Sequence, residues 1–299
     1  MSKVRALVIV AIMLLSAIGF FVILDGDAGS NSVSQKGSDT LLELMQNCAE
    51  RFTNENPEIG IQITGGGTGT GIAALIAGLV DVAQASREIK QSELDQALSV
   101  GVDPLMFRVA IDGIAVIVNA GNPSSGLTVE ELRGIYNGTY TNWDQLGGPY
   151  LRIVAYGRQS TSGTYGYFQD EILQNEDYRL DMQQISGNAA IVDAVRLDNG
   201  GIGYVGIGYV GSSSEIKMVG LASEDGGPYY SPLDPDAVYS GDYILSRFLF
   251  LYTNGVPSGS VHQWISWILS PKGQAVVEEL GFYPLGSEVL EAELGKLEG

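Results

Sequence analysis

Cysteine and histidine are almost absent from this sequence of 299 residues, which contains one of each. A single cysteine excludes an intramolecular disulfide framework, and one cysteine with one histidine excludes the usual zinc ligand sets. A serine–histidine–aspartate triad would have to use His262. These absences weigh against most metal-dependent and nucleophilic enzymes. We therefore expect a protein without catalytic residues, bound metal or cofactor.

Basic residues are also scarce, since 16 lysines and arginines face 35 aspartates and glutamates, a net charge of −19. This balance argues against nucleic-acid binding, which needs a basic face. Apolar residues make up 45% of the chain and charged residues 17%, so a sizeable core is expected and disorder is disfavoured. The length predicts about two domain-sized units.

One long apolar run stands near the amino terminus, at residues 6–24. Lys3 and Arg5 precede it and two aspartates follow, and roughly 20 apolar residues span a bilayer. The positive flank lies before the run, which predicts that the rest of the chain is outside the cytoplasm. We expect residues 1–34 to form a membrane anchor and tether, with 26–36 small and polar; a cleaved signal peptide is the alternative.

From residue 37 onward, strand-like and helix-like apolar patterns alternate, which predicts α/β lobes. Thr40 with Glu43 and Thr128 with Glu131 form the pattern of a capping box at two helix starts. Strands are predicted at 59–63, 80–83, 106–110, 114–118, 153–156, 201–210 (as a pair) and 245–252. Helices are predicted at 41–52, 72–77, 93–98, 128–136, after Ser162, and at 189–196, 261–269 and 271–280.

Three junctions between a loop and a helix are rich in glycine and hydroxyl residues, at 37–40, 65–71 and 158–164. Such a junction aims backbone N–H groups and hydroxyls at a ligand and is suited to an anion. Ser86 and Arg87 follow a predicted strand, and a guanidinium binds planar oxyanions well. Taken singly, each feature could be an ordinary cap, turn or surface ion pair. Together they predict an oxyanion site.

Nucleotide-binding motifs do not fit. The sequence contains no Gly-Lys-Ser/Thr, so a Walker loop is excluded. Gly201, Gly203 and Gly206 match G-x-G-x-x-G, as do three glycines starting at Gly206. Serines follow instead of a helix, so we interpret this segment as a glycine-rich strand and not as a dinucleotide loop.

The chain resembles the phosphate-binding proteins of ABC-type phosphate importers over about residues 37–285. Its most specific element is the pattern Arg-x-x-x-Ser-Gly-Thr at 158–164. The other matching segments are 37–41, 67–72, 80–87, 112–119, 201–209, 246–254 and the helix start at 270–274.

The resemblance implies an α/β fold of the two-lobed periplasmic-binding-protein (Venus-flytrap) type II, each lobe a mixed sheet flanked by helices. Lobe 1 would contain residues 36–114 and 243–290, lobe 2 residues 115–242, and 291–299 would be an acidic tail. Inorganic phosphate would bind in the cleft between the lobes. The implied partners are the membrane permease subunits, reached from the extracytoplasmic side, and the implied state is a monomer.

The resemblance also implies the phosphate ligands. They would be Ser38, Asp39, Thr40, Leu41, Thr68, Ser86 and Arg87 from lobe 1, with Arg158, Ser162, Gly163 and Thr164 from lobe 2. Arg87 stands where some members have an aspartate that accepts the proton of hydrogen phosphate and so rejects sulfate. A substitute acceptor is therefore expected, with Asp39 as the candidate and Asp112 as the alternative.

Other functions stay open at this point. The same fold could bind another oxyanion such as sulfate, molybdate or tungstate. It could also serve as a phosphate-sensing surface domain that delivers to no permease. A phosphatase is the enzyme alternative, but the sequence offers no metal-ligand cluster and no obvious nucleophile–base pair.

Overall fold

The computed structural model describes residues 31–211 and 214–298. The predicted anchor at 6–24 lies outside these residues. Among the residues that are described, no helix combines the length and the apolar character needed to cross a membrane.

Helices and strands alternate along the described chain. The strands are β1 (Ser32–Gly37), β2 (Gly60–Thr64), β3 (Val82–Ala85), β4 (Pro104–Asn119), β5 (Gly126–Thr128), β6 (Val154–Arg158), β7 (Gln183–Ile185), β8 (Gly201–Gly206), β9 (Ile216–Met218), β10 (Gly220–Ala222) and β11 (Ser246–Asn254). The helices are α1 (Leu42–Glu55), α2 (Thr68–Ile76), α3 (Gln91–Ser99), α4 (Val129–Asn137), α5 (Gly163–Glu171), α6 (Asn188–Leu197), α7 (Pro235–Ser240), α8 (Gly259–Leu269), α9 (Pro271–Glu279) and α10 (Ser287–Gly295).

A nine-stranded mixed sheet organises the molecule in the order β2-β1-β3-β11-β4-β8-β6-β7, with β9 also pairing with β4. The long strand β4 changes partner along its length. Its residues 104–113 pair antiparallel with β11, and residues 114–118 pair antiparallel with β8. We call β2, β1, β3, β11 and residues 104–113 the first half of the sheet. The second half consists of residues 114–119 with β8, β6, β7 and β9.

Strand β1 corrects the predicted tether, which was wrong for residues 32–36. The strand lies between β2 and β3 and is parallel to both. Its only apolar side chain is Val33, so the sequence shows no strand-like alternation. The second inward position is Gln35, whose buried amide donates to Gln84 Oε1 at 2.7 Å and accepts from Trp264 Nε1 at 2.8 Å. Hydrogen bonds therefore take the place of apolar burial there.

The glycine-rich segment 201–210 forms one strand and not the predicted pair. Strand β8 is buried along its whole length and ends at Gly206, and a 3₁₀ turn follows over Ile207–Tyr209. A Cβ at Gly203 would lie 2.7 Å from Ile191 Cγ2 on α6. Glycine is thus needed because the helix packs directly on the strand.

One other boundary differs from expectation, and the acidic segment at 291–299 is partly helical. The strands predicted separately at 106–110 and 114–118 are the single strand β4. The predicted acidic tail contains the end of α10, where the Glu293 carboxylate is buried and bound to Lys296. Lys296 Nζ also donates to the Met106 carbonyl at 2.8 Å, so this end of the chain packs on the fold.

Cys48, the one cysteine of the sequence, provides a test of how tightly the core is packed. Cys48 lies on the buried face of α1, and burial raises its pKa to about 12. A raised pKa keeps the thiol protonated, and the thiolate is the reactive form. We expect the folded protein at pH 8 to resist maleimide, and the protein unfolded in guanidinium chloride to take up one label per chain. Prompt stoichiometric labelling of folded protein would contradict this packing.

Candidate functional site

The predicted anion-binding segments converge where the two halves of the sheet meet. Parallel strands present their carboxyl ends at one edge, where ligands of open α/β sheets bind. Ser38 follows β1, Ser86 follows β3, and Arg158 ends β6. Six buried hydroxyls lie in these loops and helix starts, which we call the hydroxyl cluster. They belong to Ser38, Thr40, Thr68, Ser86, Ser162 and Thr164.

The helix start at α5 matches its prediction. Ser162 is the N-cap, and its Oγ accepts from the amides of Thr164 at 3.1 Å and Tyr165 at 3.4 Å. Gly163 is the first helical residue, where a backbone N–H has no partner inside the helix. This turn therefore offers amide and hydroxyl donors to a ligand.

The start of α1 differs from its prediction. No side chain caps this helix, so the expected capping box of Thr40 and Glu43 was wrong, whereas the box of Thr128 and Glu131 at α4 is confirmed. The Thr40 hydroxyl instead lies 3.0 Å from the Thr164 hydroxyl. Thr40 therefore makes a tertiary contact and does not cap α1.

Local bonds in the same turn repeat those at α5. The Thr40 amide donates to Ser38 Oγ at 3.2 Å, as the Thr164 amide does to Ser162. Leu41, a predicted backbone donor, has its amide bonded to the Ser38 carbonyl at 3.2 Å. Two Ser-x-Thr turns therefore face each other at the meeting of the halves.

The two halves of the sheet touch at the hydroxyl cluster. A Cβ on Gly163 would lie 2.3 Å from Thr68 Oγ1 and 2.6 Å from Ser86 Oγ. Close by, the Gly69 amide of α2 donates to the Thr161 carbonyl at 3.1 Å. Only glycine fits at position 163 in this arrangement. The two halves are therefore in direct contact at this glycine.

Arg158 lies fully buried at this meeting point. Its Nη2 donates to Asp39 Oδ2 at 2.7 Å and its Nη1 to Asn188 Oδ1 at 2.9 Å. Burial lowers the pKa of the guanidinium, while the Asp39 carboxylate opposes that shift. Among the described residues, Arg158 Nε has no hydrogen-bond partner. A buried donor without a partner is costly, so this N–H is suited to an oxyanion.

Sequence reasoning missed a second buried arginine, Arg247 of β11. Its Nη2 and Nε donate to Asp112 Oδ2 at 2.8 and 3.2 Å. Its Nη1 donates to the Ser86 carbonyl at 2.6 Å, and Nη2 also reaches Thr164 Oγ1 at 2.9 Å. The available signal was an arginine inside an apolar strand pattern, because a buried arginine there needs a partner.

Arg87 is placed differently from the expectation. Its guanidinium forms two bonds to the Glu93 carboxylate, at 2.8 and 2.7 Å, and one to the Glu88 carbonyl. These contacts hold it outside the hydroxyl cluster and do not support a role as ligand. Among the described residues, the Arg247 guanidinium contacts the cluster at Thr164, and that of Arg158 pairs with Asp39, between Ser38 and Thr40.

The charges of these buried groups cancel. Arg158 forms an ion pair with Asp39, with 2.7 Å between Nη2 and Oδ2. Arg247 forms an ion pair with Asp112, with 2.8 Å between Nη2 and Oδ2. Each carboxylate also accepts a backbone amide, from Gly66 at 2.8 Å and Ile207 at 3.1 Å respectively. A carboxylate has about four acceptor positions, so both predicted acceptors keep room for one more donor.

Comparison with known proteins supports the assignment to a family. A family model for the PBP superfamily domain matches residues 25–272. The phosphate-binding protein PstS of Pseudomonas aeruginosa is 35% identical over 90% of this chain and 87% of its own length. The PstS of Staphylococcus aureus is 30% identical over 96% of this chain and 89% of its own.

Solved structures agree with this result. A phosphate ABC transporter substrate-binding protein from Clostridium perfringens, crystallised with bound phosphate, superposes with a TM-score of 0.76 at 29% identity, covering 85% of this chain and all of the other. An ABC-type phosphate transport receptor from Vibrio cholerae gives 0.69 at 26% identity over the same shares. The predicted periplasmic-binding-protein fold is confirmed. The chain belongs to the PBP superfamily and, within it, to the family of PstS-type phosphate-binding proteins.

Proposed function

We propose that this protein captures inorganic phosphate outside the cytoplasm and delivers it to the permease of an ABC importer. The observation that carries the proposal is Arg158, a buried arginine whose Nε has no partner among the described residues and which lies beside two helix starts rich in hydroxyls. The named functions of the PstS relatives support the same ligand. We further propose that the protein binds and releases phosphate without turnover, as a monomer.

The proposed ligands follow from the placement of the donors. We propose that the hydroxyls of Thr40, Ser86 and Thr164, the amide of Gly163 and the Arg158 guanidinium surround the bound phosphate, since Thr40 Oγ1 lies 3.0 Å from Thr164 Oγ1 and Arg158 pairs with Asp39, next to Thr40. Ser38, Ser162 and Thr68 support this set, through bonds to the amides of Thr40, Thr164 and Ser86 respectively. We propose that residues 36–114 with 243–290 and residues 115–242 act as two lobes, which open to admit phosphate and close over it.

Binding must rely on short-range donors. The chain carries a net charge of −19, so long-range attraction of an anion is unfavourable, although salt screens it beyond about 8 Å. The two arginine–carboxylate pairs add no net charge. One charge-assisted hydrogen bond contributes about 1.5–3 kcal/mol. Several such bonds, less the cost of closure, are sufficient for micromolar binding, about −8 kcal/mol.

The carboxylates favour phosphate over sulfate. Both ionic forms of phosphate near neutral pH carry a P–OH group, which donates to a carboxylate, whereas sulfate carries none. Asp39 and Asp112 each keep acceptor capacity within the candidate site. A carboxylate facing sulfate would be repulsive. This difference argues for phosphate over sulfate, molybdate and tungstate.

Isothermal titration of the purified protein tests the proposal. We expect micromolar or tighter phosphate binding at pH 6 and at pH 8, and sulfate binding weaker by at least about 100-fold, since a buried unsatisfied or repelled group costs several kcal/mol. Protein shortened at the amino terminus must keep Ser32–Gly37, because these residues form β1. Equal binding of both anions would refute phosphate specificity, and binding of neither would refute the function.

Matched variants then identify the acceptor. Asp39→Asn and Asp112→Asn keep the side-chain shape while one acceptor oxygen becomes a donor. The variant that gains sulfate binding identifies the carboxylate that faces the ligand. Delivery is tested by ATP hydrolysis of the permease in proteoliposomes, which phosphate-loaded protein should stimulate.

A further inference from the structure

Arg247 lies at the point where the sheet changes from one half to the other. It is the direct cross-strand partner of Asp112, and the next pair, Ser246 and Gly113, is the last pair between β11 and β4. One residue later β4 pairs with β8 instead. The guanidinium is buried, with 6% of the residue exposed. This side chain therefore lies at the junction of the two halves of the sheet.

The bonds of Arg247 connect three parts of the fold. Asp112 belongs to β4, the Ser86 carbonyl directly follows β3 in the first half, and Thr164 lies on α5 of the second half. The guanidinium carbon also lies 5.3 Å from the ring centroid of Tyr167, on the same helix. This single group thus holds the amino-terminal turn of α5 against the end of β3.

The bond to Thr164 fixes how that hydroxyl is used. Arginine has only donors, so Thr164 Oγ1 must be the acceptor in the 2.9 Å contact with Nη2. A hydroxyl has one hydrogen, and this hydrogen is then directed away from Arg247. Thr40 Oγ1 lies 3.0 Å from Thr164 Oγ1, and either hydroxyl can be the donor in that contact.

We propose that Arg247 is a positioning residue for the anion site, which acts by committing the Thr164 hydroxyl to donate toward the bound oxyanion. The proposal rests on phosphate binding as the function of this site. A phosphate oxygen facing the protein accepts hydrogen bonds, so a hydroxyl turned the wrong way would present a lone pair to it. Arg247 prevents that orientation and carries no ligand contact of its own.

A double-mutant cycle separates this role from simple structural support. Removing Arg247 alone would leave the Asp112 carboxylate buried without its partner, and Asp112 is itself a candidate acceptor, so the neutral variant Arg247→Gln with Asp112→Asn is compared with Asp112→Asn alone. We expect the neutral variant to bind phosphate about 10- to 100-fold more weakly than Asp112→Asn, the range of one hydrogen bond to a charged group. In a Thr164→Val background the same change should cost less than about 3-fold, because no hydroxyl remains to be oriented.

Two further variants keep the test decisive. Arg247→Lys retains the charge opposite Asp112 and serves for the same cycle if the neutral variant does not fold. Thr164→Ser keeps the hydroxyl and should restore the sensitivity to the change at position 247. The matched control is Arg179→Gln, a buried arginine bonded to Asp181 and to the carbonyls of Ile135 and Tyr140, which should leave phosphate affinity unchanged.

The outcomes are distinct. If the neutral variant loses as much affinity in the Thr164→Val background as it does with Thr164 in place, while wild-type protein binds phosphate normally, the positioning role is overturned and the proposed function stays intact. A loss of affinity in the Arg179→Gln control equal to that of the neutral variant would assign the effect to stability and overturn the role as well. A wild-type protein that binds no phosphate would overturn the function and this inference together.

Discussion

Replacing Arg158 by methionine is expected to weaken phosphate binding by at least about 100-fold, the loss of one or more charge-assisted hydrogen bonds. The guanidinium is fully buried, and its Nε is the one nitrogen of that group without a hydrogen-bond partner among the described residues. Methionine keeps much of the length but supplies no donor. Isothermal titration with phosphate measures the change directly.

The same substitution removes the partner of Asp39, which complicates its interpretation. A buried carboxylate without its ion pair costs about 3–5 kcal/mol of stability and repels an anion. Arg158→Met combined with Asp39→Asn removes both charges and separates the two effects. If Arg158 contacts phosphate, the double variant binds more weakly than Asp39→Asn alone. If the arginine only neutralises Asp39, the double variant binds as Asp39→Asn does, and the ligand role is disproved.

Arg179→Met is the control for loss of a buried arginine. It pairs with Asp181 at 2.6 Å and lies 9% exposed, on contacts that do not include the hydroxyl cluster. Its carboxylate partner has its pKa lowered to about 2, chiefly by the hydrogen bond from Arg179. We expect a lower midpoint of unfolding in denaturant with unchanged phosphate affinity.

The parts of the site that depend on neighbouring residues could be predicted from the sequence. The Ser162 cap needs only the amides two and three residues later, so the sequence around residues 158–164 is sufficient to predict it. The capping box at Thr128 is local in the same way. Thr40 carries an equivalent pattern, yet its hydroxyl meets Thr164, 124 positions away. Sequence patterns cannot show which of two partners a hydroxyl will choose.

The two arginines show the same limit. Arg87 lies six positions before Glu93, and its guanidinium forms an ion pair with that carboxylate. Arg247 reaches Asp112 only because strand register places them opposite each other, 135 positions apart. In the sequence the first looked like a ligand and the second like part of a strand. A local ion pair with Glu93 explains the position of Arg87, and strand register, which periodicity does not encode, explains that of Arg247.

The strand predictions were wrong where the buried side chains are polar or where a glycine stands in place of a large apolar residue. Strand β1 buries Gln35 between Gln84 and Trp264, so one of its two inward side chains looked solvated. Strand β4 appeared as two strands because the sequence around Asp112 and Gly113 resembles a turn. That position is the change of partner between the halves of the sheet. Of the residues that misled the pattern, Asp112 also belongs to the candidate site, as the partner of Arg247.

Gly163→Ala is expected to reduce phosphate affinity by at least about 100-fold without unfolding the protein. With the two halves in contact, the added Cβ would lie 2.3 Å from Thr68 Oγ1 and 3.0 Å from Thr68 Cβ. Overpacking of this kind costs about 1–3 kcal/mol or more, and an open conformation escapes it by separating the halves. The substitution therefore acts on closure, and the ligand-free protein should keep its free energy of unfolding within about 1 kcal/mol.

Small-angle scattering with and without phosphate tests this mechanism together with titration. The wild-type radius of gyration should fall when phosphate is added, and that of Gly163→Ala should not. Gly166→Ala is the matched control on the same helix, because its Cβ would meet Arg87 Cδ at an ordinary 3.5 Å; it should bind and close like wild type. If Gly163→Ala closes normally and keeps wild-type affinity, closure over phosphate does not depend on the tight contact at position 163.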